Sequence, residues 1–219
     1  MGIPGSGLGG PSLNGSAGVG TRILLVRHGQ STWNASARWQ GRADPPLTEV
    51  GQWQAASASE SLGALDGIAS STLQRAHHTA AILAELLGIG PVLLDDRLVE
   101  RDAGEWTGLT MDEIDARYPG DREAWRTPPG FEGDEPLTAR VMAALGELAE
   151  RFEGGEVVAV THGGVIFALT RHLGGTGGRV PNLGAQWINV NASGGLTLGA
   201  SVPLLAEHAP VTADVTEQV

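Results

Sequence analysis

One short stretch near the start of the chain, ILLVRHGQSTWN at residues 23–34, constrains the fold more than any other feature. Residues 23–26 form an unbroken run of branched apolar side chains, as in a strand buried on both faces of a parallel sheet. The run stops at Arg27, His28 and Gly29, where such a strand emerges at its carboxyl edge. Ligands of open α/β sheets bind at that edge. The stretch therefore predicts a buried strand that leads into an anion-binding loop.

A second stretch repeats this arrangement much later in the chain. Residues 156–160 are predicted to form another apolar strand, and Thr161, His162 and two glycines follow it. Because parallel strands deliver their carboxyl ends to one edge, we expect His28 and His162 to face each other across a crevice. A short strand at residues 68–71 precedes a helix whose first turn holds Arg75, so that arginine is predicted to lie at the same edge.

The remaining pattern alternates strands with helices. It predicts an α/β fold, a three-layer α/β/α sandwich with a mostly parallel central sheet. Further strands are predicted at 91–94, 186–191 and 196–202, and helices at 48–65, 72–88, 111–118, 137–152 and 165–173. We expect one domain at 21–205, with a small lid region at about 104–136. The Gly/Ser-rich residues 1–20 are predicted to be a disordered tail and residues 206–219 a flexible one.

Composition removes several classes of chemistry. The chain has no cysteine, which excludes disulfides, thiolate metal sites and thiol-dependent phosphatases. All 14 basic residues are arginines, which excludes a Walker phosphate loop, a Schiff-base enzyme and a lysine general base. Any strong cation in a binding site must therefore be an arginine.

The formal net charge of −11 bears on the partners. Nucleic acid and anionic membranes need a basic surface, so neither is expected as a partner. A small anionic substrate is compatible with this charge, because a local group of arginines can reverse the potential inside one pocket. No apolar run approaches a membrane span and no signal sequence is recognisable, so we expect a cytoplasmic protein. Its expected partners are a small anionic molecule and, as an option, a second copy in a homodimer.

Four residues make a phosphate site the best hypothesis. Guanidinium groups pair with phosphate oxygens through charge-assisted hydrogen bonds, and Arg27 and Arg75 are both predicted beside the two histidines. Any one of these residues alone is more often a buried core histidine or a surface ion-pair partner. All four at strand ends of one sheet edge are better explained by a common ligand.

Six blocks together give a family resemblance that extends over about residues 23–190. RHGQSTWN, the later QG, PLTEVG, SSTLQRAHHTA, LVERDAGEWTGL and VVAVTHGG occur in this order. They resemble the histidine phosphatase superfamily, in the branch that contains cofactor-dependent phosphoglycerate mutases and related small-molecule phosphatases. The resemblance implies a phosphoglycerate mutase-like fold and metal-independent phosphoryl transfer through a phosphohistidine. It implies no cofactor for a phosphatase of this type.

The same resemblance assigns roles to individual residues. It makes His28 the nucleophile and Glu100 the acid that protonates the leaving oxygen. The residues implied to bind the phosphoryl group are Arg27, Asn34, Gln40, Gly41, Arg75, His162 and Gly163.

Elementary chemistry supports these roles. A neutral imidazole can attack phosphorus if an acceptor such as a carbonyl holds its other nitrogen protonated. Arginines can stabilise the equatorial charge of the transition state, so no metal is required. Glu105 lies in the same loop as Glu100 and is the rival acid, because spacing alone does not separate the two.

Hydrolysis is the preferred reaction among three candidates. Mutases of this group carry a tyrosine at the position of Ala103, and a longer basic insertion that holds a substrate carboxylate. Here that region offers only Arg117, Arg122 and Arg126 among many acids. A phosphohydrolase is therefore predicted, phosphoglycerate mutase-type transfer is the alternative, and an inactive phospholigand-binding relative ranks last because His28 and Glu100 are both present.

Overall fold

The computed structural model describes residues 20–124 and 126–205. In this part of the chain the strands are β1 (Thr21–Arg27), β2 (Gly67–Ser70), β3 (Leu93–Leu94), β4 (Glu156–Thr161), β5 (Gly184–Val190) and β6 (Leu196–Pro203). The α-helices are α1 (Thr32–Ala35), α2 (Glu49–Ser59), α3 (Gln74–Leu87), α4 (Met111–Arg117), α5 (Asp134–Arg151) and α6 (Gly163–His172). Two 3₁₀ turns cover Asp96–Leu98 and Gly104–Trp106. The predicted tails at 1–20 and 206–219 lie outside the described residues, Gly20 excepted.

The six strands of the described chain form one sheet in the order β3-β2-β4-β1-β5-β6. β1 lies between β4, its parallel neighbour, and β5, which is antiparallel to it. β2 pairs in parallel with both β4 and β3, while β5 and β6 form an antiparallel hairpin. The mostly parallel sheet is thus confirmed, and the carboxyl ends of four strands meet at one edge.

Apolar clusters on the two sheet faces confirm the three-layer arrangement. Side chains of α5 and α6, such as Leu145 and Ile166, pack on one face against Ile23 and Leu25 of β1. Helices α2 and α3 cover the other face, where Leu24 and Val26 of β1 contact residues such as Leu83 of α3. Alternate residues of β1 therefore serve opposite cores, which explains its unbroken apolar run.

Two helix boundaries differ from the prediction by three residues or more. α2 ends at Ser59, not near residue 65: Leu62 and Leu65 continue the apolar pattern, but they pack against the core from the loop after the helix. α5 begins at Asp134, three residues before the predicted start. Pro136 lies in the first turn, where its missing N–H removes no helical hydrogen bond, so it does not exclude the helix as the sequence pattern suggested.

The predicted lid region contains the helix expected at residues 111–118. Besides the turn at Gly104–Trp106 it holds α4, where Thr110 and Glu113 form a capping box. Trp39, Trp106 and Ile114 form a third apolar cluster under this region. None of the described helices has the length and apolar character needed to cross a bilayer.

Candidate active site

His28 follows β1 and is almost completely buried at the carboxyl edge of the sheet. Its Nδ1 lies 2.6 Å from the carbonyl oxygen of Gly29, and its Nε2 lies 3.2 Å from Nε of Arg75. A carbonyl can only accept and a guanidinium can only donate, so Nδ1 carries the proton and Nε2 carries a lone pair. This is the neutral tautomer that a nucleophilic imidazole requires.

Electrostatics favour the same protonation state. Burial lowers the pKa of His28 well below its usual value of 6.5, and the positive charges of Arg75 and Arg27 lower it further. The hydrogen bond to Gly29 opposes this effect only in part. His28 is therefore uncharged at neutral pH.

Arg75 is fully buried in the first turn of α3, and three acceptors hold it. Besides the bond to His28, its two terminal nitrogens donate to the carbonyl of Ala43 at 2.6 Å and to that of Gly41 at 2.9 Å. Burial lowers the pKa of Arg75 to about 10, although nearby Glu100 and Asp44 raise it. The guanidinium therefore stays charged at pH 7, beside the lone pair of His28.

His162 is the N-cap residue of α6, and its ring centroid lies 5.1 Å from that of His28. Its Nε2 lies 2.8 Å from Oγ of Ser71, which also accepts the N–H of Leu73. When the Ser71 hydroxyl donates to Nε2, the ring proton of His162 lies on Nδ1. Burial and the charge of Arg75 lower the pKa of His162 well below 6.5, so this ring is also neutral.

A polar network holds the loop after β1. The Oδ1 of Asn34 accepts from the backbone N–H of Ser31 at 3.1 Å, and Oγ of Ser31 donates to Oε1 of Gln40 at 2.8 Å. Asn182 donates from Nδ2 to the carbonyl of His28 at 2.8 Å. The main chain that carries the histidine is thereby fixed from two sides.

Two buried nitrogens at this edge lack a partner among the described residues. They are Nδ1 of His162 and Nδ2 of Asn34. An unsatisfied buried donor costs about 1–3 kcal/mol, and native proteins contain few of them. An anion bound between the two histidines would supply the missing acceptors.

Arg27 and Gly163 close the site on the side of α6. Arg27 ends β1 and donates to the carbonyl of Val180 at 2.7 Å. A Cβ placed on Gly163 would lie 3.5 Å from Nε of Arg27, so this guanidinium reaches the first residue of α6. The N-terminal N–H groups of a helix favour anions, and here a cation lies beside them.

Glu100 is tied to the same helix. Its Oε2 accepts the N–H of Gly164 at 3.1 Å and its Oε1 accepts the N–H of Arg101 at 2.8 Å. A Cβ on Gly164 would lie only 2.6 Å from Oε1, so the carboxylate needs a glycine there. The rival acid Glu105 is exposed and accepts a hydrogen bond from the Tyr118 hydroxyl at 2.6 Å. Glu100 therefore belongs to the cluster by geometry.

Gly41 contacts Arg75 in the site, and two residues that were not predicted also belong to it. Gly41 presents its carbonyl to Arg75, and at φ +50° a Cβ would lie 2.8 Å from the Ala103 nitrogen. Ser71 and Asn182, which contact the two histidines, were not predicted. Ser71 directly follows β2, and Asn182 precedes an antiparallel strand whose start lies at the same edge. Strand direction was the signal that could have identified both.

Two cavities adjoin this cluster. A crevice of about 20 Å³, room for one water molecule, is lined by Trp39, Glu100, Arg101 and Gly164 among others. It shares Trp39 and Arg101 with a larger cavity of about 550 Å³, which Trp106 also lines. The larger space thus shares two lining residues with the crevice that Glu100 lines.

The fold and this site define a class of protein, and a family model agrees with it. The model of the histidine phosphatase superfamily (branch 1) matches residues 23–187, and the chain belongs to this superfamily. The matched residues include every member of the cluster described above, which confirms the resemblance inferred from the six sequence blocks.

Similar proteins include a metabolite phosphatase. Glucosyl-3-phosphoglycerate phosphatase of Mycobacterium tuberculosis is 41% identical over 167 residues, covering 69% of this chain and 74% of that protein. A bifunctional protein of M. tuberculosis is 39% identical over 160 residues, or 69% of this chain. The matched part makes up 44% of that longer protein. A solved structure of mycobacterial glucosyl-3-phosphoglycerate phosphatase with VO3 superposes with a TM-score of 0.74 at 33% identity, covering 82% of this chain and 97% of that one.

Proposed function

We propose that the protein is a phosphomonoester hydrolase that acts on a small phosphorylated metabolite through a phosphohistidine intermediate. The observation that carries this proposal is the lone pair on Nε2 of His28. Burial keeps the imidazole neutral, and the Gly29 carbonyl orients the ring. The charged Arg75 beside it donates to the carbonyls of Ala43 and Gly41 but forms no ion pair with any residue that the structure describes, and a phosphoryl group is its natural ionic partner.

In the first half-reaction, Nε2 of His28 attacks phosphorus and the bond from phosphorus to the leaving oxygen breaks. Glu100 gives its proton to that oxygen, so an alcohol leaves instead of an alkoxide. Charge on the equatorial oxygens is stabilised by the residues assigned to the phosphoryl group, namely Arg27, Asn34, Gln40, Arg75, His162 and the backbone near Gly163. Gly41 contributes by holding Arg75.

In the second half-reaction, water attacks the phosphorus of phosphohistidine. Glu100, now a carboxylate, takes a proton from that water, the P–N bond breaks, and inorganic phosphate leaves. Nε2 recovers its lone pair, and the Gly29 carbonyl keeps the proton on Nδ1 throughout. The arginines supply the charge stabilisation, so the proposed reaction needs neither a metal nor a cofactor.

The comparisons support hydrolysis of a metabolite over mutase-type transfer. Two of the similar proteins, glucosyl-3-phosphoglycerate phosphatase and phosphoserine phosphatase 1, are named for the hydrolysis of a phosphorylated metabolite. Ala103 remains a departure from the mutase pattern, and it is buried and lines the small crevice beside Glu100. We further propose a cytoplasmic location, and a homodimer remains an expectation that sedimentation can test.

The test is an assay of phosphate release from phosphorylated sugars, glycerates and nucleotides, with and without 2,3-bisphosphoglycerate. A phosphatase releases phosphate without that additive, and acid-labile, base-stable phosphate accumulates on the wild-type enzyme and not on His28→Ala. Isomerised phosphoglycerate that appears only with 2,3-bisphosphoglycerate would assign a mutase instead. Tight binding without turnover of any phosphate would assign an inactive relative.

A further inference from the structure

We propose that the 550 Å³ cavity beside Trp39 receives the leaving group, and that this group combines a ring with an anionic substituent paired to Arg171. The inference rests on the proposed function and specifies its substrate class. It differs from the sequence-based expectation, which counted basic residues only near the lid region. Arg171 comes from the last turn of α6, far from that region in sequence.

The position of the cavity assigns it to the leaving group. Trp39 and Arg101 border both the large cavity and the small crevice that Glu100 and Gly164 line. An oxygen that takes its proton from Glu100 therefore belongs to a group that continues past Trp39. The volume lies in the range of about 300–1,000 Å³ that small-molecule sites occupy, and it exceeds the needs of a phosphoryl group alone.

One wall of the cavity is aromatic and fixed. The ring centroids of Trp39 and Trp106 lie 5.2 Å apart and those of Trp106 and Phe131 lie 5.9 Å apart, both edge to face. Trp39 and Trp106 are nearly buried, so the wall does not have to be ordered on binding. Such a wall offers a packing face to a ring of the leaving group.

The side chains that line the cavity carry a positive formal charge, opposite in sign to the net charge of the chain. Four arginines and two acids, Glu123 and Asp134, line the cavity of a protein with a net charge of −11. Three of these arginines are already engaged. Arg101 pairs with Asp134 at 2.5 Å, Arg126 with Asp121 at 2.8 Å, and Arg122 donates to Asp115 at 2.6 Å.

Arg171 is the fourth, and it forms no ion pair with any residue that the structure describes. Its guanidinium carbon lies 5.7 Å from the centroid of the Phe167 ring, which also lines the cavity. A guanidinium matches a carboxylate or a phosphate through two parallel hydrogen bonds. The geometry therefore leaves Arg171 as the cation available to an anionic substituent of the group held in the cavity.

The experiment compares substrates that differ by one group. 3-Phosphoglycerate and glycerol 3-phosphate share a three-carbon skeleton and differ by a carboxylate against a hydroxymethyl group. We expect Arg171→Gln to lower kcat/KM for 3-phosphoglycerate by about 10- to 100-fold, mainly through KM, as the loss of a charge-assisted hydrogen bond implies. The value for glycerol 3-phosphate should change by less than about twofold.

A matched control lies at the end of another helix. Arg151 is in the last turn of α5 with its guanidinium carbon 5.9 Å from the Phe152 ring, and it is exposed like Arg171. Arg151→Gln should leave both substrates unchanged. A second comparison, fructose 1,6-bisphosphate against fructose 6-phosphate, tests whether a phosphate replaces the carboxylate. A preference for the bisphosphate that Arg171→Gln removes supports the same anion site.

A separate experiment tests the ring of the leaving group. Phe131→Leu keeps an apolar side chain and removes an aromatic face of the cavity, and it should reduce the advantage of glucosyl-3-phosphoglycerate over 3-phosphoglycerate. Equal loss on charged and neutral substrates in Arg171→Gln, or no loss on either, would overturn the inference. The proposed function fails separately, by the absence of His28-dependent hydrolysis of p-nitrophenyl phosphate in the wild-type enzyme.

Discussion

The Nε–H of Arg75 points at Nε2 of His28 across 3.2 Å, so a permanent cation lies against the nitrogen assigned to attack phosphorus. This contact prevents protonation of the imidazole and orients its lone pair. The second ring, His162, is neutral for similar reasons and lies with its centroid 5.1 Å from that of His28. Two buried neutral histidines beside buried arginines have consequences for stability as well as for catalysis.

The first prediction concerns stability against pH. Folding lowers the pKa of His28 and of His162 below 6.5, so the unfolded chain binds more protons just below that pH. Stability is therefore fully present above about pH 6.5 and falls as the pH falls, until the folded-state pKa is reached. Each histidine contributes about 1.4 kcal/mol per pH unit in this window. Urea unfolding at pH 7.5 and 5.5 should show the loss, and His28→Gln with His162→Gln should reduce it.

The control is His77→Gln, which removes an exposed imidazole from α3. Burial raises the pKa of Asp95 and Glu132, but hydrogen bonds from Arg97 and Arg140 outweigh it and lower the pKa. The stability that these two carboxylates add to the protein is therefore lost only below about pH 4.5. A double histidine variant that loses as much stability as wild type between pH 7.5 and 5.5 would contradict this account.

The second prediction is that His28→Ala abolishes turnover and retains the fold. The side chain lies beyond the end of β1 and outside the apolar clusters that hold the sheet, so its removal leaves a space near the ligand site. Turnover of p-nitrophenyl phosphate and the circular dichroism spectrum measure the two effects. Substantial residual activity in a purified, folded variant would show that another residue is the nucleophile.

The third prediction is full activity in excess chelator and strong inhibition by vanadate. Arginines supply the positive charge here, and vanadate can take up the trigonal bipyramid of the transition state at Nε2 of His28. The related mycobacterial phosphatase has been solved with VO3. Activity that disappears in chelator and returns with a divalent metal would point to metal-assisted hydrolysis.

The limits of the sequence are clear from particular residues. His28, His162 and Arg75 could be placed together because apolar strands have an unambiguous pattern and parallel strands share one edge. The end of α2 could not be predicted, because Leu62 and Leu65 keep the apolar spacing after the helix has ended. Helical periodicity shows which side chains are buried, but it does not show whether the backbone that carries them is helical.

The site shows the same limit. Glu100 and Glu105 are indistinguishable by spacing, and only the folded loop turns one toward α6 and the other toward Tyr118. Ser71 is one serine among many until its hydroxyl is found against His162. Arg171 reaches the large cavity from a helix distant in sequence from the other lining arginines. Tertiary contacts of this kind leave no local pattern.

The fourth prediction compares two adjacent glycines. In Gly164→Ala the new Cβ would lie 2.6 Å from Oε1 of Glu100, and the flexible carboxylate must move away. Stability should change little, whereas hydrolysis of an alkyl phosphate should fall by about tenfold or more because the acid is displaced. In Gly163→Ala the nearest atoms lie at 3.5 Å, an ordinary contact, so the effect should be smaller. Equal effects of both variants would show that the loss of activity does not come from displacement of the Glu100 carboxylate by the new Cβ at position 164.

The last prediction concerns the proton that Glu100 supplies. Glu100→Gln keeps an oxygen that can accept from the N–H of Gly164 and removes the acidic proton. Hydrolysis of an alkyl phosphate, whose leaving oxygen needs that proton, should fall by about 10²–10⁴-fold. A nitrophenolate leaves without help, so phosphorylation of His28 by p-nitrophenyl phosphate should fall much less.

The comparison must follow the first turnover, because in the proposed mechanism Glu100 also activates water in the second half-reaction, and its loss would then slow the steady state for every substrate. The burst rates of the alkyl and aryl substrates give the informative ratio. Glu105→Gln is the matched control, since its carboxylate is exposed and bonded to the Tyr118 hydroxyl. If Glu100→Gln lowers both burst rates equally and Glu105→Gln lowers only the alkyl rate, Glu105 is the leaving-group acid.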